Sequence, residues 1–293
     1  FWLGMPVTYM SRLNRMLVVG SNLRKDHPLM AHRIRESVRW YGELNLINAA
    51  DDEFLGKVHA KRIVAPSQLA AALAGVCLAL AESKNQPVPA IAAPYLAAGG
   101  VADDTAKKMA ASISSGETRA VFLGNMAQHH PSYAQIHALA QEVAKLAGAS
   151  FGVLGEAANS VGAVAVGAVP HRGALGQAAI KGLNARQMLA QPLSAYLLLG
   201  VEAELDTHDP VTAMASINAA DFVVVMSPYK GKSLDYADVL LPIAPWTETS
   251  GTFINTEGRV QSFAAVVKPL GETRPAWKVL RVLGNLLGLS GFD

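Results

Sequence analysis

At 293 residues the chain is long enough for two cores, since a domain takes about 100–200 residues. Apolar residues make up 51% and charged residues 16%, which excludes disorder and points to a heavily buried α/β protein. A formal net charge of +2 makes no case for nucleic acid or an anionic membrane surface. The single cysteine, Cys77, excludes an internal disulfide and an iron–sulfur cluster held by this chain's own thiolates.

The chain opens at Phe1 with no charged and then apolar leader, and the reading expects a soluble piece of a longer polypeptide. Its longest apolar stretch, Leu69–Ala81, falls short of the ~18–20 residues a bilayer span needs. Arg15–Gly20 (RMLVVG) reads as a buried strand ending in glycine, Ser21–Asp26 as a loop, and Pro28 as the first residue of a helix. Met30, Ile34, Val38 and Tyr41 recur at helical spacing. Leu44–Asn48 and Arg62–Ala65 are the next strands, and Pro66 starts a helix with Leu69, Leu73, Val76 and Leu80 on one face. Asn85–Gly100, with three prolines and a Gly-Gly end, reads as a linker, followed by a helix over about Asp103–Ser114.

A second strand–loop–helix begins at Ala120–Gly124, passes through Asn125–His130 and enters a helix opened by Pro131. Phe151–Leu154 is a strand running into the small-residue segment Gly155–Pro170. Ala195–Gly200 and Phe222–Met226 are further buried strands. His208, Asp209 and Pro210 cap the helix between them. Val239–Leu241 is a strand stopped by Pro242 and Pro245, and the tail from Pro275 carries Trp277, Leu280, Leu283 and Leu287 along one helix side. Strands alternating with helices of this length predict βαβ units around parallel sheets.

Three loops carry candidate chemistry. Gly20–Asp26 follows a strand and precedes a helix, so its N–H groups can face an anion, with Arg24 and Lys25 beside them. Gly124, Asn125 and Gln128 repeat that arrangement. Thr247, Glu248, Gly251, Thr252, Asn255, Glu257 and Arg259 crowd the region past the strand at Val239, where an open α/β sheet places a ligand site. Glu248 and Glu257 read as structural hydrogen-bonding residues. Gly231-Lys232-Ser233 matches the end of a P-loop, but too few residues separate it from Val239 for the required helix. The histidines show no metal-ligand spacing, and Cys77 reads as a buried small hydrophobe.

The run Ala237–Gln261, ADVLLPIAPWTETSGTFINTEGRVQ, resembles the late segment of the molybdopterin-oxidoreductase superfamily, with its "LP" strand end and "GT-F-N-EGR-Q" loop. GSNLRKDHPLMAHRIR at Gly20–Arg35 and LGEAANSVGA at Leu154–Ala163 are similar to its respiratory complex I branch, the large iron–sulfur subunit of NADH:quinone oxidoreductase. That resemblance implies an α/β fold of two Rossmann-like units with mostly parallel sheets. The expected divisions are 1–113, 114–245, and a tail 246–293 returning to the first unit. It also implies ancestral pterin-dinucleotide loops at Gly20, Ser21, Asn22, Arg24, Gly124, Asn125, Gln128 and the seven residues between Thr247 and Arg259.

In that branch the chain would be a scaffold with no molybdopterin. The parent subunit would carry the 2Fe-2S and 4Fe-4S clusters. Its partners would be the flavin-bearing NADH dehydrogenase subunit and other peripheral-arm subunits, on the cytoplasmic face of the bacterial inner membrane without direct insertion. The alternative is the cofactor-binding part of an active molybdopterin oxidoreductase of the formate dehydrogenase or nitrate reductase type.

Overall fold

The computed structural model describes residues 2–292, which form two units. The first comprises residues up to Gly162 together with Ile254–Arg259, and the second holds Ala163–Phe253 and the residues from Val260 onward.

Five parallel strands build the first unit: β1 (Arg15–Val19), β2 (Glu43–Asn48), β3 (Ala60–Ile63), β4 (Arg119–Leu123) and β5 (Ser150–Val153). Their order is β3-β2-β1-β4-β5, with Val18 opposite Leu46 on one side and Phe122 on the other. Successive side chains of a strand point to opposite faces. Leu17, Val19, Ile47, Val121 and Leu123 therefore pack under helices Leu69–Ser83, Asp104–Ser114 and Tyr133–Ala147. Met16, Val18, Leu44, Leu46 and Phe122 face the other way, toward helix Pro28–Trp40 and the 3-10 turn Val7–Arg12. Burial on both faces is why these strands read as continuous apolar runs. Cys77 lies in the core of helix Leu69–Ser83, where burial pushes its thiol up to about 11. Among the described residues one helical stretch, Pro66–Ser83, is long and apolar enough to cross a membrane, and it is mostly buried against this sheet.

The second unit has a three-stranded parallel sheet, β6 (Ala195–Leu199), β7 (Phe222–Ser227) and β8 (Val239–Pro242), in that order. Tyr196, Ile217, Val223 and Val225 form its core, and Tyr196 Oη donates to Met188 O at 2.8 Å. Asp209 caps helix Pro210–Asn218 by accepting from Thr212 N at 3.0 Å. Between β7 and β8 the Gly231-Lys232-Ser233 segment enters only the short 3-10 turn Lys232–Asp235. β9 (Gly251–Ile254) and β10 (Val260–Phe263) form a separate two-stranded ribbon.

The α/β class with mostly parallel sheets is therefore the observed one. The division at 113/114 is not. β4 pairs with β1 in register from Arg15 and Arg119, so the first sheet runs straight across that boundary and the units divide near Gly162 instead. Of the tail, Ile254–Arg259 joins the first unit, while the helix Ala276–Leu286 belongs to the second. The expected linker Asn85–Gly100 contains the 3-10 turn Ala90–Ala92 and the short helix Ala93–Ala97. Pro89 and Pro94 stand where proline is tolerated, before and at the start of helical turns.

Candidate functional site

Strand order reverses between β1 and β4, and the crevice outside the carboxyl ends at such a point is where open α/β sheets bind ligands. Gly20 leaves β1 with φ +64°, its N–H donating to Ile47 O at 2.8 Å. Gly124 leaves β4 with its N–H donating to Val19 O at 2.9 Å, and Ala127 N donates back to Gly20 O at 3.2 Å. The two glycines let these loops close on each other. A Cβ at Gly124 would lie 2.2 Å from Ser21 Cβ, and one at Gly20 would lie 2.6 Å from Ala127 N.

Open space lies on the β2 side of this junction. A small depression with about 10 Å³ of free space, room for about one water molecule, is lined by Ser21, Asn22, Arg24, Asn48, Asp52 and Glu53 over an apolar floor of Leu23, Leu46 and Phe54. Ser21 is buried, and its carbonyl accepts from Asn48 Nδ2 at 3.0 Å. Asn48, at the end of β2, is 4% exposed, and its Oδ1 has no partner. An orphaned buried acceptor costs about 1–3 kcal/mol unless something donates to it. Arg24 reaches across to Glu53 at 3.7 Å, and Asn22 N donates to the Asp26 carboxylate at 3.1 Å. The depression thus brings together a guanidinium, already paired with Glu53, the Asn48 amide oxygen and two carboxylates, while the Ser21 hydroxyl is engaged by His27 Nδ1 at 3.4 Å.

The remaining residues singled out from the sequence have structural partners. Gln128 Nε2 donates to Leu154 O at 2.8 Å and caps the end of β5, with Asn125 Oδ1 3.4 Å away. Asn255 Oδ1 accepts from Glu257 N at 3.2 Å and Arg259 N at 2.9 Å, which shapes the turn between β9 and β10. Glu257 Oε2 accepts from Val7 N at 2.8 Å, and its Oε1 pairs with Arg259 Nε at 3.4 Å. In the second unit Glu248 Oε2 accepts from Leu270 N at 2.9 Å, the Thr247 carbonyl accepts from Val266 N at 2.9 Å, and Thr252 Oγ1 meets Ser262 Oγ at 2.9 Å beside Gly251.

The Val7 N–H bond holds the Glu257 carboxyl below the usual carboxylate range. A depressed acid contributes stability that is present above its unfolded pKa and lost as pH falls through the folded value. Glu257→Ala should therefore cost about 1–2 kcal/mol at pH 7 and much less at pH 3, read from urea unfolding at the two pH values. An equal loss at both would show that the carboxylate is not what holds the N-terminal segment.

Asn48, Asp52 and Glu53 escaped the sequence reading. The available signal was acidic residues just after the second strand of a βαβ unit, where nucleotide-binding folds place a ribose acceptor.

Fold and depression together define an α/β protein of the doubly wound kind with a small polar-rimmed depression beside its strand-order reversal, between the ends of β1 and β2. The molybdopterin oxidoreductase description matches residues 11–286, so the chain belongs to that family. Relatives include "Putative formate dehydrogenase SAB2186c" of Staphylococcus aureus, 42% identical over 74 residues, 25% of this chain and 8% of that protein. "Probable oxidoreductase YjgC" of Bacillus subtilis is 36% identical over 96 residues, 33% of this chain and 10% of that protein. The chain thus spans about a tenth of the length of the curated relatives it matches. Among solved structures, acetylene hydratase from Pelobacter acetylenicus aligns with TM-score 0.70 at 14% identity, over 98% of this chain and 50% of that one. A formyltransferase/hydrolase complex from Methylorubrum extorquens aligns with TM-score 0.58 at 14% identity, over 93% and 74%. At that identity these two share the fold.

Proposed function

We propose that this chain is the part of a molybdopterin oxidoreductase, of formate dehydrogenase type, that holds the nucleotide end of a pterin dinucleotide. The observation that carries the reading is the placing of Arg24 and Ser21 beside the orphaned Asn48 Oδ1 in one depression between the carboxyl ends of β1 and β2, next to the strand-order reversal. With about 10 Å³ of free space between them, these residues would meet a nucleoside diphosphate lying across their rim, with Arg24 released from Glu53. Arg24 and the Ser21 hydroxyl suit its phosphates, while Asn48 Oδ1, Asp52 and Glu53 suit its N–H and O–H donors. When bound, the cofactor would supply the redox-active metal centre of the whole enzyme. This chain's part is to grip and orient the remote end. The formate dehydrogenase names of the relatives support that branch.

A second reading is a cofactor-free scaffold of complex I, docked on the cluster-bearing and flavin-bearing subunits of the peripheral arm. One observation favours it: the loops at Gly20 and Gly124 close on each other, leaving no gap between them. The complete polypeptide, purified from its natural source, separates the two. Stoichiometric molybdenum or tungsten with pterin supports the first reading. Iron with neither metal nor pterin, co-purifying with a flavin-bearing NADH dehydrogenase, overturns it in favour of the scaffold.

A further inference from the structure

Behind the loop Ser21–Asp26 lies His27, 5% exposed at the entry to helix Pro28–Trp40. Its Nδ1 is 3.4 Å from Ser21 Oγ. Its Nε2 is buried toward the Leu154 and Gly155 backbone and completes no hydrogen bond of ordinary geometry. The ring therefore bridges the loop after β1 and the loop after β5. Asn48 Nδ2 holds the Ser21 carbonyl from a third side, at 3.0 Å.

A neutral imidazole with its proton on Nε2 has Nδ1 as an acceptor, so Ser21 spends its hydroxyl hydrogen on the histidine. In the imidazolium both nitrogens donate. Ser21 Oγ then becomes the acceptor, and its own hydrogen is freed to turn away from the ring. Resting on the nucleotide reading above, we propose that His27 is a positioning residue that takes up a proton from solvent when a phosphate group occupies this loop, turning the Ser21 hydroxyl from His27 to a phosphate oxygen.

The surroundings poise the ring for this. Burial disfavours the imidazolium and holds its pKa below the ordinary value, so the free site is neutral at pH 7. Asp26 on its own turn, the backbone of Gly155 and Leu154, and Glu156 after β5 all pull the other way. Glu156 is itself paired with His129 at 2.7 Å. A phosphate's negative charge adds to the pull of these groups. By linkage, a ligand that binds the protonated form better raises the His27 pKa by the same free energy.

The test titrates guanosine diphosphate into the chain and its His27→Gln variant between pH 8 and 5.5. Calorimetry in two buffers of different ionisation enthalpy measures proton uptake, and NMR follows the His27 ring. Glutamine keeps an amide acceptor and donor but does not titrate. The probe's own phosphate ionisation is common to both proteins and drops out of the comparison. Affinity of the native chain relative to the variant should rise about three- to tenfold toward low pH, the value of one added hydrogen bond. Proton uptake should accompany binding, and the His27 signal should titrate at higher pH with the probe present.

Parallel pH profiles for the two proteins, or binding without proton uptake, overturn the proposal. If the probe binds neither protein, the nucleotide reading fails and the phosphate-driven switch that rests on it fails with it; binding with parallel pH profiles overturns the switch alone.

Discussion

Phe122→Ala should remove about 3–5 kcal/mol from the stability of the first unit, the largest loss expected from a single core truncation here. Phe122 is fully buried in β4. The face it points to carries one long helix, Pro28–Trp40, so the N-terminal segment through Leu3 and Met10 completes the cover. Phe122 Cδ1 lies 3.1 Å from where a Cβ of Gly152 would be, and Gly152 in turn gives way to the Leu3 carbonyl. Neighbours held by backbone in this way cannot collapse into the vacated space, so the cavity penalty adds to the lost transfer energy. Denaturant-dependent hydrogen exchange of the β1 and β4 amides measures the unit's stability without assuming that both units unfold together. A loss below about 1 kcal/mol would mean that the ring is not the core element its burial implies.

Gly20→Ala should cost about 2–4 kcal/mol and loosen both loops at the strand-order reversal. Two effects combine. The residue sits at φ +64°, where a Cβ is strained, and that Cβ would meet Ala127 N at 2.6 Å. Gly200 separates them: it has φ +61° but nothing within 4 Å of its would-be Cβ. Gly200→Ala should therefore cost only the conformational part, about 1 kcal/mol. Equal losses at the two positions would show that contact between the loops contributes nothing. In Gly20→Ala, faster exchange of the Ala127 and Gly124 amides is the local sign that the second loop has moved.

Much of the first sheet could be read from RMLVVG, AVFLG and the helices opened by Pro28 and Pro66. An apolar run ended by glycine, followed by proline at a helix start, leaves few alternatives. Strand order could not be read the same way. β1 lies more than a hundred residues from β4, and nothing local in RAVFL says that it pairs with RMLVV rather than starting a new sheet. That is why the expected boundary fell inside a single domain.

The parts played by the polar cluster from Thr247 to Arg259 were not legible for a related reason. Its density of hydrogen-bonding side chains is real, but the turn around Asn255, the N-terminal anchor at Val7 and the strand pair at Thr252 consume them. Asn48 went unread because an asparagine ending an apolar strand looks like a simple stop. Its orphaned oxygen is visible only once Ser21 is seen to occupy the amide's other end. The complex I branch rested on DHPLMAHRIR and EAANSVGA, whereas the relatives bear formate dehydrogenase and oxidoreductase names.

The most direct test of the nucleotide-site reading is an amide NMR map of guanosine diphosphate binding to the chain, repeated with the Asn48→Ala variant. The account predicts shifts concentrated at Ser21, Asn22, Arg24, Asn48, Asp52 and Glu53, saturating with concentration and weakened about tenfold in the variant, as fits the loss of a buried acceptor. Shifts centred on Thr247–Thr252 in the second unit, or none at millimolar probe, would contradict it.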